Sequence, residues 1–249
     1  MKWISRCIRY AAGALVACSS AAFALPAVDL YMAEAPPLTM AAQGDRHGVA
    51  GDITLKAMTM AGYSPNILSP PWPRAQRDVM LGANKLIAPL TRTPSRENHY
   101  TWIAALMPMD RAFFSLNHRV ESFDEARRTF KTIAVGSGSA QEVRLLEEGF
   151  SAAQIYPLKI GENPALMLLK GRVDAWFNGV PETLYIWKQI SDRPLLMSKA
   201  LMTADLYLAC SKDCDPQMIE KLKAAVDTLQ SNGTIQRVQH EYLKDLSAR

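Results

Sequence analysis

A polar segment directly after an apolar run contains the residues with the clearest binding chemistry. The segment Thr91-Arg92-Thr93-Pro94-Ser95-Arg96-Glu97 follows the run from Lys85 to Leu90. A planar guanidinium offers parallel N–H donors that fit a carboxylate bidentately, so Arg92 or Arg96 could hold a carboxylate ligand. Both arginines could instead be solvated charges or pair with Glu97. From spacing alone, this second interpretation is favoured.

A second candidate for anion binding is the glycine-rich segment Val135-Gly136-Ser137-Gly138-Ser139. Ser139 and Glu142 form a capping box, which predicts the first turn of a helix. Exposed backbone N–H groups and the helix dipole attract an anion there, a role compatible with a purely structural cap. The two glycines also suggest a dinucleotide loop. We reject a nucleotide site because Gln141 replaces the third glycine and no acidic residue follows at the required distance.

Catalytic and metal motifs are absent from the sequence. No G-x-S-x-G segment occurs, and the H-E-x-x-H pattern that begins at His240-Glu241 has Lys244 at its second histidine position. The other histidines, which lack metal-ligand spacing, are His47, His99 and His118. We therefore expect no catalytic residues, no metal and no cofactor, and a protein that is not an enzyme.

The first 24 residues resemble an export signal. A basic start containing Lys2, Arg6 and Arg9 precedes a short apolar run, and Ala22-Phe23-Ala24 supplies the small residues that signal peptidase needs. Cleavage after Ala24 is the preferred prediction, and lipidation of Cys18, in a segment like a bacterial lipobox, is the alternative. Either process places the chain in the periplasm. Without the three basic residues the net charge of +4 falls to +1, which gives no electrostatic basis for nucleic-acid binding.

Two of the four cysteines, Cys7 and Cys18, lie in the signal segment. Cys210 and Cys214 remain, four residues apart in a polar turn. In an oxidising compartment such a pair is expected to form a local disulfide. A metal site is the alternative, but no histidine lies nearby in the sequence.

The chain contains two βαβαβ patterns, which predict two mainly parallel α/β sheets. The first pattern covers Val28 to Leu90, with a helix that Asp52 could cap, and the second covers Lys131 to Asn178. Apolar extended stretches follow each pattern, at Ala112 to Leu116 and at Leu206 to Ala209, and two amphipathic helices complete the chain. If these stretches cross between lobes, the final helices return to the first lobe. We then expect residues 25–116 and 205–249 to form lobe 1 and residues 117–204 to form an inserted lobe 2.

Four ordered segments together resemble periplasmic solute-binding proteins of the polar amino-acid type, which are extracellular solute-binding proteins of family 3. They are the segment ending at Arg96, the glycine-rich segment, Gly171-Arg172-Val173-Asp174-Ala175, and the tail from Leu229 through Gly233-Thr234-Ile235 to Tyr242. The resemblance implies a type II periplasmic binding fold with a cleft between two α/β lobes. It also implies that Arg96 grips a ligand carboxylate, with Thr91 and Ser139 as further polar contacts.

The sequence departs from this family at one ligand position. Amino-acid binders have an Asp for the ligand's ammonium group five residues after the Asp of the G-R-x-D-A element, and here that position is Gly179. Glu34 could substitute, or the ligand could lack a free amine. Trp176 and Asn178 are predicted at the cleft. We expect Trp72 to be a core residue rather than a stacking surface.

The resemblance implies a monomer that closes around a small carboxylate-bearing solute, such as an amino acid, and docks on an inner-membrane permease or sensor. Two other classes of function stay open. One is an enzyme on the same scaffold, such as a dehydratase or lyase of small carboxylates, with Glu34 as acid or base. The other is a sensory binding module without transport.

Overall fold

Strands and helices alternate in the first part of the chain, as the apolar pattern predicts. The structure is a computed structural model that describes residues 25–40 and 45–246. The first elements are β1 (Ala27–Tyr31), α1 (Val49–Met60), β2 (Ser64–Leu68), α2 (Trp72–Met80), β3 (Leu86–Thr91), a 3₁₀ turn (Pro94–Arg96) and β4 (Tyr100–Ser115). The predicted signal segment 1–24, with Cys7 and Cys18, lies outside the described residues.

A second alternation follows β4. Its elements are α3 (Phe123–Thr129), β5 (Ile133–Gly136), α4 (Ala140–Glu147), β6 (Ile155–Leu158), α5 (Pro164–Leu169), β7 (Ala175–Gly179), α6 (Val180–Ile190) and β8 (Leu196–Met197). The chain then forms β9 (Met202–Ser211), α7 (Pro216–Ser231) and α8 (Thr234–Leu243). The predicted cap at Ser139 is confirmed, because its hydroxyl accepts a hydrogen bond from the Glu142 amide at 3.2 Å. Asn163 and Asp215 cap α5 and α7 in the same way.

The predicted start of α1 is wrong by several residues. Asp52 lies within the first turn, and the helix begins at Val49 with Gly48 as its N-cap. The Asp52 carboxylate instead accepts hydrogen bonds from the His47 amide at 2.9 Å and from the Tyr242 hydroxyl at 2.8 Å. It therefore ties the start of α1 to the last helix.

The strands form one hydrogen-bonded path in the order β2-β1-β3-β9-β4-β7-β5-β6, with β8 attached to β4. β1 pairs in parallel with β2 and β3, and β5 pairs in parallel with β6 and β7. β4 and β9 are antiparallel to their neighbours. The parallel groups at the two ends are those that the two βαβαβ patterns predict.

The expectation of two separate sheets needs one correction, and the reason is the length of β4. Its residues from Tyr100 to Arg111 pair with β9, and those from Arg111 to Ser115 pair with β7. At 16 residues it is long enough to belong to both halves, so the ladder never breaks. Arg111 lies where the two pairings meet, opposite both Met202 and Gly179.

The buried apolar side chains nevertheless separate by lobe, with two clusters in each. The first lobe consists of β1–β3, the first part of β4, most of β9, and α1, α2, α7 and α8, with a core that includes Leu30, Ile53, Leu208 and Leu222. The second lobe consists of the end of β4, β5–β7 and α3–α6, with a core that includes Phe113, Phe130, Leu145 and Phe177. The final helices return to the first lobe, as expected, and the fold is a two-lobed α/β architecture.

The predicted pairing of Cys210 and Cys214 is confirmed. The two residues form a disulfide with a Cα–Cα distance of 6.2 Å. It joins the end of β9, where Cys210 is fully buried, to the turn before α7. Among the described residues, no helix has both the length and the apolar character needed to cross a membrane.

Candidate functional site

The loops that follow β1, β3, β5, β6 and β7 meet between the two lobes and line two adjoining cavities. A small cavity of about 70 Å³ is walled by Thr91, Arg96, Arg111, Ser139 and Gln141, among others. A larger cavity of about 320 Å³ lies beside it. Ala35, Ile160 and Glu182 belong to the walls of both, so the two cavities form one cleft. Its position at the carboxyl ends of the parallel strands is the usual place for a ligand in open α/β sheets.

Arg96 lies at the bottom of the small cavity, in the 3₁₀ turn after β3, and its side chain is only 9% exposed. Its guanidinium donates to the Thr91 carbonyl at 3.1 Å and to the Gly138 carbonyl at 2.9 Å. A guanidinium has five N–H donors, so several remain available to a ligand. Burial lowers the pKa of Arg96 because desolvation disfavours its charged form.

Arg92 has a different environment from Arg96, although only four residues separate them. Its Nε donates to the Glu97 carboxylate at 2.9 Å, and its side chain is 40% exposed. The guanidinium also lies over the rings of Trp102 and Tyr207, at 5.5 and 5.3 Å from their centroids. Arg92 is therefore a surface ion pair, the alternative that spacing suggested for both arginines.

Arg111 is a second buried arginine at the small cavity, which the sequence analysis missed. It is 1% exposed, and it donates to the Thr91 hydroxyl at 2.7 Å and to the Met109 carbonyl at 3.0 Å. Its Nε is buried without a hydrogen-bond partner among the described residues. Burial lowers the pKa of Arg111 to about 10, partly opposed by the nearby Glu182 carboxyl. The sequence did contain a signal for this residue, because Arg111 directly precedes the apolar stretch 112–116 that was expected to cross between the lobes.

Thr91 and Ser139 lie at the same cavity, as the family resemblance implies. The Thr91 hydroxyl accepts from Arg111, which leaves its own hydrogen free to donate to a ligand. Ser139 caps α4 and is 7% exposed. Direct contact of either residue with a ligand stays a prediction.

Two hydrogen bonds from the first lobe meet at one backbone carbonyl of the second lobe. The Gly138 oxygen accepts from Arg96 and from the Gln76 side-chain amide, each at 2.9 Å. Gly138 has a φ of 70°, and a Cβ there would lie 2.9 Å from Cγ of Pro73. The lobes are therefore closed onto each other, and only glycine fits at this contact.

Glu34, Trp72, Trp176 and Asn178 surround the larger cavity or its rim. Glu34 lies exposed on the loop after β1 and lines that cavity. Trp176 and Asn178 also line it, but Trp176 is only 3% exposed and packs against Trp187 and Leu168. Trp72 is 8% exposed and packs with the first-lobe core, as expected, while its edge reaches the cleft. Asn178 accepts from Gln141 and donates to Thr183, both at 3.3 Å.

Glu182 is the second cleft residue that the sequence analysis missed. Its carboxylate occupies the space that a side chain at position 179 would need. Its carboxylate lies where a side chain on Gly179 would begin, with the Met109 sulfur 3.0 Å from that point. Burial raises the pKa of the Glu182 carboxyl to about 7, although Arg111 acts in the opposite direction. The sequence contains a signal for this position. Glu182 lies three residues after Gly179, and in a helix that begins after Gly179 residues three apart lie on the same face.

The Asp of the G-R-x-D-A element does not reach the cleft. The Asp174 carboxylate accepts from the amides of Lys131 and Thr132, at 2.8 and 2.9 Å, and so fixes the start of β5. Among the described residues, no group of three or more His, Cys, Asp or Glu side chains could hold a metal ion. The walls of the cleft combine charged side chains, such as Arg96, Arg111 and Glu182, with apolar ones, such as Val135 and Ile186.

Comparisons with known proteins agree with this architecture. No protein-family model matches the chain, and no curated protein sequence does. An ancestral arginine-binding protein bound to arginine has a similar structure, with a TM-score of 0.77, 17% identity, and coverage of 88% of this chain and 99% of that chain.

Two further similar structures come from different functional settings. One is a histidine kinase sensor domain with similarity to periplasmic binding proteins, with a TM-score of 0.77, 13% identity, and coverage of 88% and 97% of the two chains. The other is a putative L-cystine ABC transporter from Listeria monocytogenes, with a TM-score of 0.75, 16% identity, and coverage of 90% and 99%. At these identities the similarity establishes the fold and nothing finer. This chain therefore has the two-lobed α/β fold of the amino-acid-binding periplasmic proteins.

Proposed function

We propose that this protein binds a small carboxylate-bearing solute between its lobes and delivers it to a membrane partner. The observation that carries the proposal is Arg96, a buried guanidinium that keeps several donors available at the bottom of the cleft. A charge that stays buried without a carboxylate partner is costly, so the site is arranged for an anion. The Thr91 hydroxyl, held by Arg111, is a further donor beside it.

Binding occurs by hinge closure in this proposal, with lobe 1 as residues 25–116 plus 205–249 and lobe 2 as residues 117–204. The chain crosses between the lobes at β4 and β9, which are paired with each other at Arg111 and Met202. A rotation about this pair separates Gly138 from Arg96 and Gln76 and opens the cleft to solvent. Arg96 donates to the Gly138 carbonyl of the other lobe. The same side chain therefore takes part both in closure of the lobes and in binding of the ligand.

The proposed place of action is the periplasm, with the protein as a monomer. The predicted signal at 1–24 supports export, either with cleavage after Ala24 or with lipidation at Cys18. The disulfide between Cys210 and Cys214 supports an oxidising compartment. The membrane partner is an ABC-type permease or a sensor, since both settings occur among the similar structures.

The test begins with a thermal-shift screen of the mature protein against amino acids, dicarboxylates, polyamines and quaternary amines. A ligand at 100 times its dissociation constant stabilises the folded protein by about 2.7 kcal/mol. Calorimetric titration of the best ligand then compares wild type with Arg96→Ala, Arg96→Lys and Arg92→Ala. Arg92 is the matched control because its exposed ion pair with Glu97 contributes about 0–1 kcal/mol to stability.

We expect Arg96→Ala to weaken binding by about 10-fold to 100-fold, since a hydrogen bond to a charged group contributes roughly 1.5–3 kcal/mol. We expect Arg96→Lys to lose most of the binding as well, because an ammonium cannot form two parallel hydrogen bonds to a carboxylate. Arg92→Ala binds as wild type does. Wild-type affinity in Arg96→Ala would refute the assignment, and loss of binding only in Arg92→Ala would move the carboxylate contact to the other arginine.

A second candidate function is acid–base chemistry on a small carboxylate. The observation that favours it is Glu182, a cleft carboxyl whose pKa of about 7 suits proton transfer near neutrality. Incubation of the protein with the best ligand, followed by NMR, distinguishes the two functions. Recovery of unchanged ligand supports binding alone, whereas a product whose formation Glu182→Gln abolishes supports an enzyme.

A further inference from the structure

The turn between β6 and α5 carries an apolar side chain at its tip. In the segment Lys159-Ile160-Gly161-Glu162, the Glu162 amide donates to the Lys159 carbonyl at 3.0 Å, and the Glu162 carboxylate accepts from the Lys159 amide at 3.2 Å. Gly161 has a φ of 94°, a conformation that favours glycine at the third position of a turn. The turn is closed by its own hydrogen bonds and therefore presents Ile160 in a defined place.

Ile160 belongs to the second lobe, but it packs against a hydrophobic cluster of the first lobe. The buried members of this cluster include Tyr31, Trp72, Ala75 and Val79. Among the described residues, Ile160 is the only side chain of the second lobe in the cluster. The next residue, Gly161, also lies against the first lobe, since a Cβ there would be 3.4 Å from the Glu34 carbonyl oxygen. The turn therefore makes an apolar contact between the lobes.

The second lobe leaves room for this side chain at Gly136. A Cβ on Gly136 would lie 2.6 Å from Cδ1 of Ile160, which is closer than packed carbon atoms approach. The φ of Gly136 is not positive, so its backbone conformation does not itself require glycine. The position of Ile160 accounts for the missing side chain. Ile160 is thus enclosed by its own lobe on one side and by the first-lobe cluster on the other.

We propose that Ile160 is an apolar latch that holds the two lobes closed and that acts without a ligand. This inference rests on the hinge closure of the proposed function and adds a residue that controls it. Opening of the cleft withdraws Ile160 from the cluster and exposes apolar surface of both lobes to water, which is unfavourable. Because both surfaces belong to the protein, the latch contributes to closure of the empty protein as well.

The latch also lies on the route by which a ligand leaves the cleft. Ile160 belongs to the walls of the small and the larger cavity, and to those of a third cavity of about 350 Å³ that Pro70, Pro71 and Trp72 border on the side of the first lobe. A ligand in the cleft leaves only after the lobes separate, and that separation breaks the contact of Ile160. We therefore expect the latch to slow dissociation of a bound ligand.

The experiment compares wild type with Ile160→Ala, Ile160→Val and the control Leu146→Ala. Valine keeps a branched apolar side chain, whereas alanine loses most of the contact. Leu146 is an apolar residue of α4 in the same lobe, 54% exposed and outside the walls of the cleft. Each protein is unfolded, dialysed and refolded to remove bound solute. Small-angle X-ray scattering then gives the radius of gyration of the empty form, and the melting temperature checks that it is folded.

We expect empty Ile160→Ala to have a larger radius of gyration than empty wild type. Ile160→Val and Leu146→Ala should stay close to wild type. A side chain that only touched the ligand would leave the shape of the empty protein unchanged. With the best ligand of the wider screen, stopped-flow measurement should show dissociation from Ile160→Ala about 3-fold to 30-fold faster than from wild type, and dissociation from Leu146→Ala unchanged.

Three results would overturn the inference. Equal radii of gyration for empty wild type and empty Ile160→Ala would show that Ile160 does not hold the lobes closed, while Arg96 and the proposed function stand. Equal expansion of Leu146→Ala would show that loss of any apolar side chain has the same effect. Unchanged dissociation from Ile160→Ala would remove its control of ligand release. If no carboxylate binds wild type, the proposed function fails, but the scattering of the empty proteins still decides whether the latch exists.

Discussion

The Glu182 carboxyl makes the stability of the empty protein depend on pH in a distinctive direction. Burial raises its pKa from the ordinary value of 4.5 to about 7, with Arg111 opposing the change. Between these two values the folded protein keeps a proton that the unfolded chain has released. The stabilising contribution of this group is therefore complete below about pH 4.5 and is lost as the pH rises through 7.

The size of the effect follows from the two pKa values. Moving a carboxyl pKa from 4.5 to about 7 corresponds to at most about 3 kcal/mol. Glu182 is partly exposed, so solvent screening reduces this upper limit, and we expect a loss of about 1–2 kcal/mol between pH 5 and pH 8. An amide does not titrate. Glu182→Gln should therefore match wild type near pH 5 and be more stable at pH 8.

The assay is urea unfolding of wild type, Glu182→Gln and, as a control at an exposed residue of α4, Glu147→Gln at pH 5, 6, 7 and 8. Each protein is first unfolded, dialysed and refolded to remove any bound solute, because a ligand would mask the difference. Subtracting wild type from the variant at each pH cancels the other titrating groups. A difference that stays within about 0.5 kcal/mol from pH 5 to pH 8 would refute the reasoning, and so would one of opposite sign.

Two further predictions concern the contact between the lobes and the disulfide. Gly138→Ala should weaken ligand binding about tenfold or more and leave the liganded protein more extended by X-ray scattering, because its Cβ would lie 2.9 Å from Cγ of Pro73. Gly171→Ala, which has the same positive φ but nothing within 4 Å of its Cβ, is the control and should bind normally; equal behaviour of both variants would contradict the idea. Replacing Cys210 and Cys214 by serine should lower the free energy of unfolding by about 2 kcal/mol, since the closed loop is short. Two reactive thiols in non-reduced, denatured wild type would show that the disulfide is absent.

Local sequence signals identified most elements of the fold. The capping residues Ser139, Asn163 and Asp215 mark the helix starts that the structure has, because a cap depends on residues two or three positions away. Asp52 is the exception. Its carboxylate is bound by the His47 amide and by Tyr242, a partner from the end of the chain that no local pattern indicates.

The candidate site was only partly visible in the sequence. Arg96 was identified through the ordered set of family motifs, and the structure places it in the cleft while Arg92 pairs with Glu97 at the surface. Arg111 and Glu182 were missed. Both are charged residues beside apolar segments, which is also the pattern of an ordinary surface position.

The sequence by itself determined the two alternating α/β patterns, the cysteine pair and the arginine segment, because each depends on neighbours within one turn, strand or loop. Only the tertiary structure decided that β4 continues through both lobes, that Arg111 lies buried at their junction, and that Glu182 fills the space beside Gly179. The hydrogen bonds to the Gly138 carbonyl were likewise decided only by the tertiary structure, since their donors Arg96 and Gln76 lie in the other lobe. The physical reason is that burial and charge pairing depend on residues that are distant in sequence and meet only when the lobes close.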